Sequence, residues 1–399
     1  MSNYTITVNK ECGTIDFLSQ ELHSIPKGTR NIQFDFAPNV FIRPSFLGYL
    51  CLVMIFFKSK GIDIKINYCK NDYLARMDLY NICGINYCES FSRHPTESKF
   101  LPICLVKEQQ DIKNIVDNIC EMISIRINNA PDLMSSLEWS INEVIDNMRN
   151  HAGSNIHGVV VAQYYPSENK LHVFVGDLGQ GIQKSLSSVY LAQSDCDAII
   201  TATKKGVTRD DTIGQGNGLA GTRDILKLNN GVLTIYSGKG KVIFLANDRN
   251  LEKQFNKKIC GTIVEMVFDT NKPVSLDDTF ISDTGFTFLT ALAEKYHDSG
   301  VNVFHECNGW TGGRAPAREL KSKLLSMVSE FREIGDKIVL DFSQVRQCSS
   351  SFMDELIGLF MERLGGQEKF FKIFAFKGIN DLNMGILVTV LSQRGLINV

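Results

Sequence analysis

Hydrophobic and polar positions follow strand-like and helix-like patterns in turn over the first part of the chain. The stretches NIQFDF and GIDIKINY have the spacing of short strands, and an apolar run from Phe46 to Phe57 lies between them. Pro44 suits the first turn of a helix, because proline lacks the N–H that would be unpaired there. The apolar run is well short of the ~20 residues that cross a bilayer. The pattern therefore predicts a buried helix between two strands and no membrane segment.

The middle of the chain has two helical stretches followed by a series of strands. QDIKNIVDNICEMISIRI and the segment from Leu133 to His151 have helical apolar spacing. Strand-like stretches follow at HGVVVAQYY, KLHVFVGDLG, GVLTIYSG, GKVIFLAND and GTIVEMVFD. The strand series looks antiparallel. The order predicts an α/β fold of the α+β sandwich type, with helices on one face of a mixed sheet.

The C-terminal part returns to the first pattern. Its predicted strands are DKIVLDFSQV and KFFKIFAFKG, and its predicted helices are SSSFMDELIGLFMERLGG and DLNMGILVTVLSQRG. The matching features are Asp35-Phe36 with Asp341-Phe342, Ser45-Phe46 with Ser351-Phe352, and Gly84 with Gly395, each glycine closing a predicted helix. We expect a diverged duplication around a central domain, with limits 1–105, 106–272 and 273–399. The alternative is that strand–turn–helix–strand is a common arrangement.

Composition narrows the class of protein. The chain has 399 residues, enough for two or three domains. Its 42 basic and 44 acidic residues nearly cancel, which gives no support for a nucleic-acid partner. The eleven cysteines include no CxxC pair, so reduced thiols in a cytoplasm are the simplest account. No signal peptide is visible at the N-terminus, and a cytoplasmic location is expected.

One helix places polar groups beside an apolar stripe. In NEVIDNMRNHAG, Glu143, Asn147 and His151 are spaced four residues apart and share one face. The ordinary explanation is the solvated face of an amphipathic helix. His151 is expected to cap the helix end, and Asp146 to be structural or solvated.

Three later stretches favour a nucleotide site. In GDLGQGI, Asp177 follows a hydrophobic strand and can accept a hydrogen bond from an exocyclic amine, while Gly179 and Gly181 let the backbone approach a flat ring. The stretch GQGNGLAGT has glycines before a helix, where free N–H groups can hold phosphate oxygens. Thr262 begins a strand and offers a hydroxyl. The GxGxxG spacing in the second stretch lacks the preceding buried strand of a dinucleotide fold.

Taken in order, these motifs resemble the GHKL ATPases, which include type II DNA topoisomerases, MutL proteins, histidine kinases and anti-sigma-factor kinases. The resemblance covers about residues 107–270 and implies a Bergerat-type fold that binds ATP and Mg²⁺. It implies that Asn147 is the Mg²⁺ ligand and that Glu143 is the general base. The remaining nucleotide contacts that it implies are Asp177, Gly179, Gly181 and Thr262 near adenine, and Gly214, Gly216, Gly218 and Leu219 near the phosphates. Lys204, Lys205 and Arg209 lie in the expected lid, where the ordinary explanation is a solvated loop.

The stretch IVLDFSQVRQCSSSF resembles STAS domains, the fold of anti-anti-sigma factors. By offset from Asp341, Ser350 aligns with the serine that a partner kinase can phosphorylate there. Ser349 stands where those factors usually have aspartate, and Phe352 replaces the usual glycine. A plain N-cap role is therefore preferred for Ser350. The first part of the chain is expected to be a degenerate STAS-like domain.

The sequence thus predicts a regulatory or signalling protein in which ATP controls STAS-like domains or a protein partner. Slow ATP hydrolysis and transfer to a Ser or Thr both stay open, as does pairing of two chains. Histidine kinase activity is not expected, since none of the seven histidines lies in a long uncapped helix. The alternative is a non-catalytic scaffold, against which the intact Glu143 and Asn147 argue.

Overall fold

The computed structural model describes residues 3–9, 13–38, 40–68, 73–89, 91–93, 99–127, 130–151, 158–205, 207, 218–274, 300–330 and 337–397. The chain forms two compact units that alternate along the sequence. The first is Met1–Ala130, Asn147–Thr201 and Leu226–Pro273, and the second is Pro131–Asp146, Ala202–Ile225 and Val274–Val399. The domain limits expected after residues 105 and 272 stay a prediction.

The elements are numbered in chain order. The strands are β1 Asn3–Val8, β2 Asn31–Phe36, β3 Asp63–Tyr68, β4 Phe100–Val106, β5 Gly158–Tyr165, β6 Lys170–Gly176, β7 Val232–Leu245, β8 Asn250–Asp269, β9 Val301–Asn302, β10 Ile338–Asp341 and β11 Phe374–Lys377. The helices are α1 Ile15–Ser24, α2 Pro44–Ser59, α3 Tyr73–Arg76, α4 Leu79–Ile82, α5 Gln109–Ser124, α6 Pro131–His151, α7 Ile182–Leu186, α8 Asp195–Ala202, α9 Gly218–Leu228, α10 Val303–Glu306, α11 Arg314–Glu330, α12 Ser350–Met353, α13 Leu359–Leu364, α14 Gln367–Ile373 and α15 Asp381–Gln393.

The first unit contains a three-stranded parallel sheet with β2 between β1 and β3. The predicted buried helix α2 is confirmed and begins at Pro44. Arg43 before it has φ −82° and ψ 155°, the extended conformation favoured before proline. The single helix expected before Gly84 is instead the pair α3 and α4, because Asp78 takes a left-handed φ of 61°.

The same unit contains the expected central sheet, in the order β4-β5-β6-β8-β7. All four of these pairings are antiparallel, where a mixed sheet was expected. The side chains of Phe174, Val173 and Val175 on the central strand β6 are at most 1% exposed. Because successive side chains of a strand point to opposite faces, both faces of the sheet are covered there.

Helix α2 packs on the sheet face that carries Phe174. A Cβ built on Gly48 would lie 2.2 Å from the Phe174 ring, and one built on Gly176 would lie 2.9 Å from Leu52. Both glycines therefore permit a close approach of helix and sheet. One buried cluster runs from β1 and β2 through α2 to β5 and β6. The parallel and antiparallel sheets of this unit share a hydrophobic core.

Strands β7 and β8 are longer than the sequence pattern predicts. Two separate strands were expected around Ser237–Gly240, but β7 continues through these residues. The register with β8 shifts on both sides of Gly238, whose φ is +58°. Bulges of this kind let a strand pass a glycine without turning back.

The second unit contains another three-stranded parallel sheet, with β10 between β9 and β11. The predicted helix after β10 consists of α12, a π-helical segment Asp354–Gly358, and α13 in direct succession. The strand expected over Lys369–Gly378 begins as helix α14, and only β11 is extended. Helix α15 agrees with the prediction and is followed by Gly395 at φ +65°.

The two parallel sheets have the same strand order and direction, and the helices that follow their central strands begin at equal offsets. Pro44 lies as far after Asp35 as Ser350 lies after Asp341. This agrees with the feature-by-feature match in the sequence, while a common origin stays a prediction. None of the described helices is both long and apolar enough to cross a membrane.

Candidate functional site

Asp177 lies directly after the central strand β6 of the first unit. Its backbone N–H donates to the carbonyl of Thr262 at 2.9 Å, which brings these two predicted residues side by side. Its Oδ1 accepts from the N–H of Gly179 at 2.6 Å. The residue is 4% exposed, and burial raises the pKa of the carboxyl to about 6, against the hydrogen bonds from Gly179 and Thr262. The result is a buried acceptor directly after a central strand.

Two glycines with left-handed backbone complete this group. Gly181 and Gly261 both have φ of +79°. A Cβ on Gly261 would lie 2.0 Å from the carbonyl oxygen of Asp177, and one on Gly181 would lie 3.0 Å from Ser237 Oγ. Ser237 Oγ accepts from the N–H of Ile182 at 2.8 Å and donates to the carbonyl of Gly261 at 3.4 Å.

Gly261 and Ser237 are site residues that sequence reasoning missed. The signal for Gly261 was present, since it directly precedes Thr262 in GTIVEMVF. Ser237 carries no comparable signal, because a serine in a strand followed by glycine is ordinary. Its hydroxyl gains significance only from the fold, which places it between β8 and the start of α7.

Helix α6 carries Glu143 and Asn147, with Glu143 in the second unit and Asn147 in the first. Glu143 is 4% exposed, so the solvated-face explanation fails for this residue. Its Oε1 accepts from the backbone N–H groups of Ser350 at 3.0 Å and Ser351 at 3.4 Å.

The ionisation of Glu143 follows from this setting. Burial raises the pKa of its carboxyl to about 7, and the nearby Asp146 carboxylate adds to the rise. The two serine amides and the positive charge of Arg314 oppose the shift. Asp146 is itself 4% exposed, so it is structural rather than solvated.

The remaining polar residues of this helix are less informative. Asn147 is half-buried, and its amide is the candidate Mg²⁺ ligand of the chain. His151 is the last residue of α6, as expected, and its side chain lies outside the described residues.

The glycine-rich stretch is described only at its end. Gly214, Gly216 and Arg209 lie outside the described residues. Gly218 is the first residue of α9 and is buried, and Leu219 after it is half-buried. The two lysines of the expected lid, Lys204 and Lys205, are both exposed. The ammonium of Lys205 lies 3.5 Å from the carboxylate of Asp224, a surface ion pair that is compatible with a solvated loop.

The start of α12 differs from the prediction in one respect. Ser349, not Ser350, is the N-cap, since its hydroxyl accepts from the N–H of Phe352 at 3.0 Å. Ser349 Oγ also lies 2.9 Å from Ser351 Oγ. Ser350 is the first helical residue, which frees its backbone N–H for Glu143.

A buried charge network follows in the π-helical segment. Asp354 is 0% exposed and pairs with Arg314 at 3.0 Å and with Arg394 at 2.6 Å. Glu355 pairs with Arg314 at 3.4 Å and with Lys321. Arg314 thus belongs to this network and also lies near Glu143. The positive charge of Arg314 lowers the pKa of the Glu143 carboxyl.

The comparisons with known proteins bear on the second unit. Residues 318–384 match the family model described as a STAS-like domain of unknown function (DUF4325). The match begins within α11, includes β10, α12 and β11, and ends within α15. The expectation of a STAS-like C-terminal domain is confirmed for these residues. No curated protein matches the chain.

Proposed function

We propose that the chain is a regulatory protein that binds ATP with Mg²⁺ and uses the nucleotide to control its STAS-like domain or a protein partner. The observation that carries the proposal is the group around Asp177. A buried carboxylate follows a central strand, next to Thr262 and two glycines whose backbone cannot accept a side chain without strain. Asp177, Gly181 and Thr262 of this group also belong to the motifs that the sequence shares with nucleotide-binding proteins.

The group around Asp177 suits an adenine ring. Its carboxylate is an acceptor for an exocyclic amino group, and burial makes such a hydrogen bond stronger than it would be in water. Because Gly181 and Gly261 have no side chain, their backbone packs closely against Ser237 and Asp177, respectively. Bound ATP would supply the phosphoryl group for transfer.

The other roles are assigned from the motifs. Asn147 would bind Mg²⁺, which needs few protein ligands. Gly214, Gly216, Gly218 and Leu219 would hold the phosphates, and Glu143 would act as the base. With burial holding its pKa near 7, Glu143 is suited to exchange a proton at neutral pH.

Glu143 also supports a link between nucleotide and STAS-like domain. It contacts Ser350, which lies 207 residues later in the matched STAS-like stretch. We extend the proposal to a degenerate STAS-like domain at the N-terminus, because its sheet has the same order and helix offset.

The second candidate is a non-catalytic scaffold, for which the shared hydrophobic core and the buried ion pairs would be sufficient. Within the first candidate, release of phosphate and transfer to a Ser or Thr remain alternatives. The contact between Glu143 and Ser350 favours Ser350 as the residue to test for transfer.

The test is incubation with γ-labelled ATP and Mg²⁺, together with binding titrations. We expect Asp177→Ala and Asn147→Ala to weaken nucleotide binding at least tenfold, and Glu143→Ala to keep binding but lose turnover. Asp341→Ala is the matched control, because Asp341 is the last residue of strand β10 and its carboxylate accepts from the N–H two residues later, at 2.9 Å. Its nucleotide affinity should equal that of the wild type.

Unchanged nucleotide affinity in both Asp177→Ala and Asn147→Ala would reject the site and leave the scaffold. Label retained on the wild type but absent from Ser350→Ala would favour transfer. Free phosphate alone would favour hydrolysis.

A further inference from the structure

The starts of two helices at equal offsets each contact a carboxylate of the central segment. In the second unit, the amides of Ser350 and Ser351 donate to Glu143. In the first unit, the side chain of Ser45 hydrogen-bonds to Glu265 on β8. Ser45 lies at the same offset after Asp35 as Ser351 does after Asp341. We call the parts of the chain that form the sheets β1–β3 and β9–β11 the first and second modules. In each module, the start of the helix after the central strand contacts a carboxylate from the part of the sequence between the two modules.

The two helix starts differ at their first helical residue. Pro44 stands where the second module has Ser350, and proline has no N–H to donate. The first module therefore holds its carboxylate through a hydroxyl, while the second holds Glu143 through two backbone amides. In addition, α2 shares a continuous hydrophobic core with the central sheet, which makes the first contact part of a fixed core.

We propose that the start of α12 is an autoinhibitory clamp on Glu143, and that turnover begins when the two serine amides release this carboxylate. The inference rests on the proposed role of Glu143 as the base.

The clamp inhibits because Oε1 of Glu143 is occupied by two hydrogen bonds and because the residue is buried. Both amides donate to the same oxygen, Oε1, and the side chain is 4% exposed, so a water or hydroxyl does not reach a free carboxylate. Hydrogen bonds to a charged acceptor are stronger than neutral ones, and they hold the rotamer of Glu143 as well as its charge.

The helix that starts at α12 is irregular. The π-helical segment Asp354–Gly358 directly follows α12, and π segments are uncommon and concentrate at functional sites. Arg314 binds Asp354 and Glu355 in this segment and also acts on Glu143 electrostatically. A shift of the segment therefore changes both the donors and the charge near Glu143.

Ser350→Pro tests the clamp by deleting one donor and keeping the helix. Ser349 has φ −77° and ψ 159°, nearly the same as Arg43 before Pro44, so the backbone accepts proline at 350. Asp381→Pro is the matched control, because Asp381 is the first residue of α15 after Asn380, with φ −78° and ψ 168°. The full chain is used, and γ-phosphate turnover is measured as released phosphate plus label retained on protein.

We expect Ser350→Pro to raise turnover roughly tenfold, the effect of losing one hydrogen bond to a charged group, with nucleotide affinity unchanged. Asp381→Pro should match the wild type. Because Ser350→Pro cannot retain label at position 350, the deciding quantity is released phosphate. Release by Ser350→Pro at or below the wild-type rate, with nucleotide still bound, would overturn the clamp alone.

Ser349→Ala decides the matter if Ser350→Pro does not fold. It removes the cap of α12, and we expect faster deuterium exchange at the amides of residues 350–351 together with a several-fold rise in turnover. Faster exchange with unchanged turnover would count against the clamp. A wild type that binds no nucleotide would instead reject the proposed function, and the clamp with it.

Discussion

Gly261 lies against the carbonyl of Asp177 so closely that a Cβ at this position would be 2.0 Å from the oxygen. Its φ of +79° is also a conformation that other residues rarely adopt. We expect Gly261→Ala to cost about 2–5 kcal/mol of unfolding free energy, the sum of backbone strain and overpacking. The measurement is urea unfolding of the purified chain.

Gly28→Ala is the control for Gly261→Ala. Gly28 has a similar φ of +86°, but a Cβ there would meet nothing within 4 Å. It should cost only about 1–2 kcal/mol, from the backbone alone. Equal losses in the two variants would mean that the close approach to Asp177 is not significant.

Asp177 should make adenine binding depend on pH. Its pKa of about 6 lies above the usual value of 3.8, so the carboxyl takes up its negative charge only as pH rises through about 6. The ionised form is the stronger acceptor for an amino group, and we therefore expect adenosine affinity to rise over the same range. Adenosine is the suitable probe, because it has no phosphate whose own titration would interfere. Calorimetry from about pH 5 to pH 8 measures the effect.

The comparison for this prediction is Asp177→Asn. The amide does not titrate, and we expect weaker and pH-independent adenosine binding. A wild-type affinity that stays flat from about pH 5 to pH 8 would contradict the assignment of Asp177 to the adenine contact.

His172 should make the fold sensitive to acid. Burial, with the charges of Arg43 and Lys170, lowers its pKa to about 4 from the usual 6.5. A lowered pKa means that the unfolded chain binds more protons between these values. The stabilising contribution of the neutral ring is therefore complete above about pH 6.5 and is lost as pH falls towards 4, by about 3 kcal/mol.

Replacement by phenylalanine tests this. The ring of His172 packs edge-on against Tyr165 at 5.0 Å, and its Nδ1 has no hydrogen-bond partner among the described residues. His172→Phe should keep the packing and reduce the loss of stability between about pH 6.5 and pH 4.5. The exposed His305→Gln should leave that loss unchanged. Identical pH profiles of wild type and His172→Phe would be evidence against this role.

Local pattern was sufficient to predict elements whose sequence signal is continuous. Helix α2 follows from Pro44 and an unbroken apolar run, and β5 and β6 from β-branched residues on either side of a turn. The pattern failed where the fold decides the conformation. The residue types of Ser237–Gly240 suit a bulged strand as well as a turn. The pairing with β8 selects the bulge, and this pairing is not visible in the local sequence.

In the candidate site, too, some residues could be predicted from local sequence, while their partners depend on the fold. An aspartate and glycines after a strand pointed to Asp177, and the resemblance of the ordered motifs to a known family pointed to Glu143. The partners of Glu143 could not be predicted, since the Ser350 amide is a backbone group 207 residues away. The N-cap role predicted for Ser350 was wrong by one position, because consecutive serines give no signal for which one is helical.

The buried Asp354 should be essential to the second unit. It is 0% exposed, and both Arg314 and Arg394 pair with it. Removing one member of a buried ion pair leaves an uncompensated charge, so Asp354→Ala should cost about 3–5 kcal/mol of unfolding free energy. Glu362→Ala is the control, because Glu362 also pairs with Arg394, at 2.8 Å, but its side chain is 60% exposed. Surface pairs contribute about 0–1 kcal/mol, so that variant should unfold near the wild-type midpoint.

Chemical denaturation of Asp354→Ala and Glu362→Ala distinguishes the buried ion pair from the surface pair. Equal small losses would show that the charges on the two arginines are satisfied without Asp354.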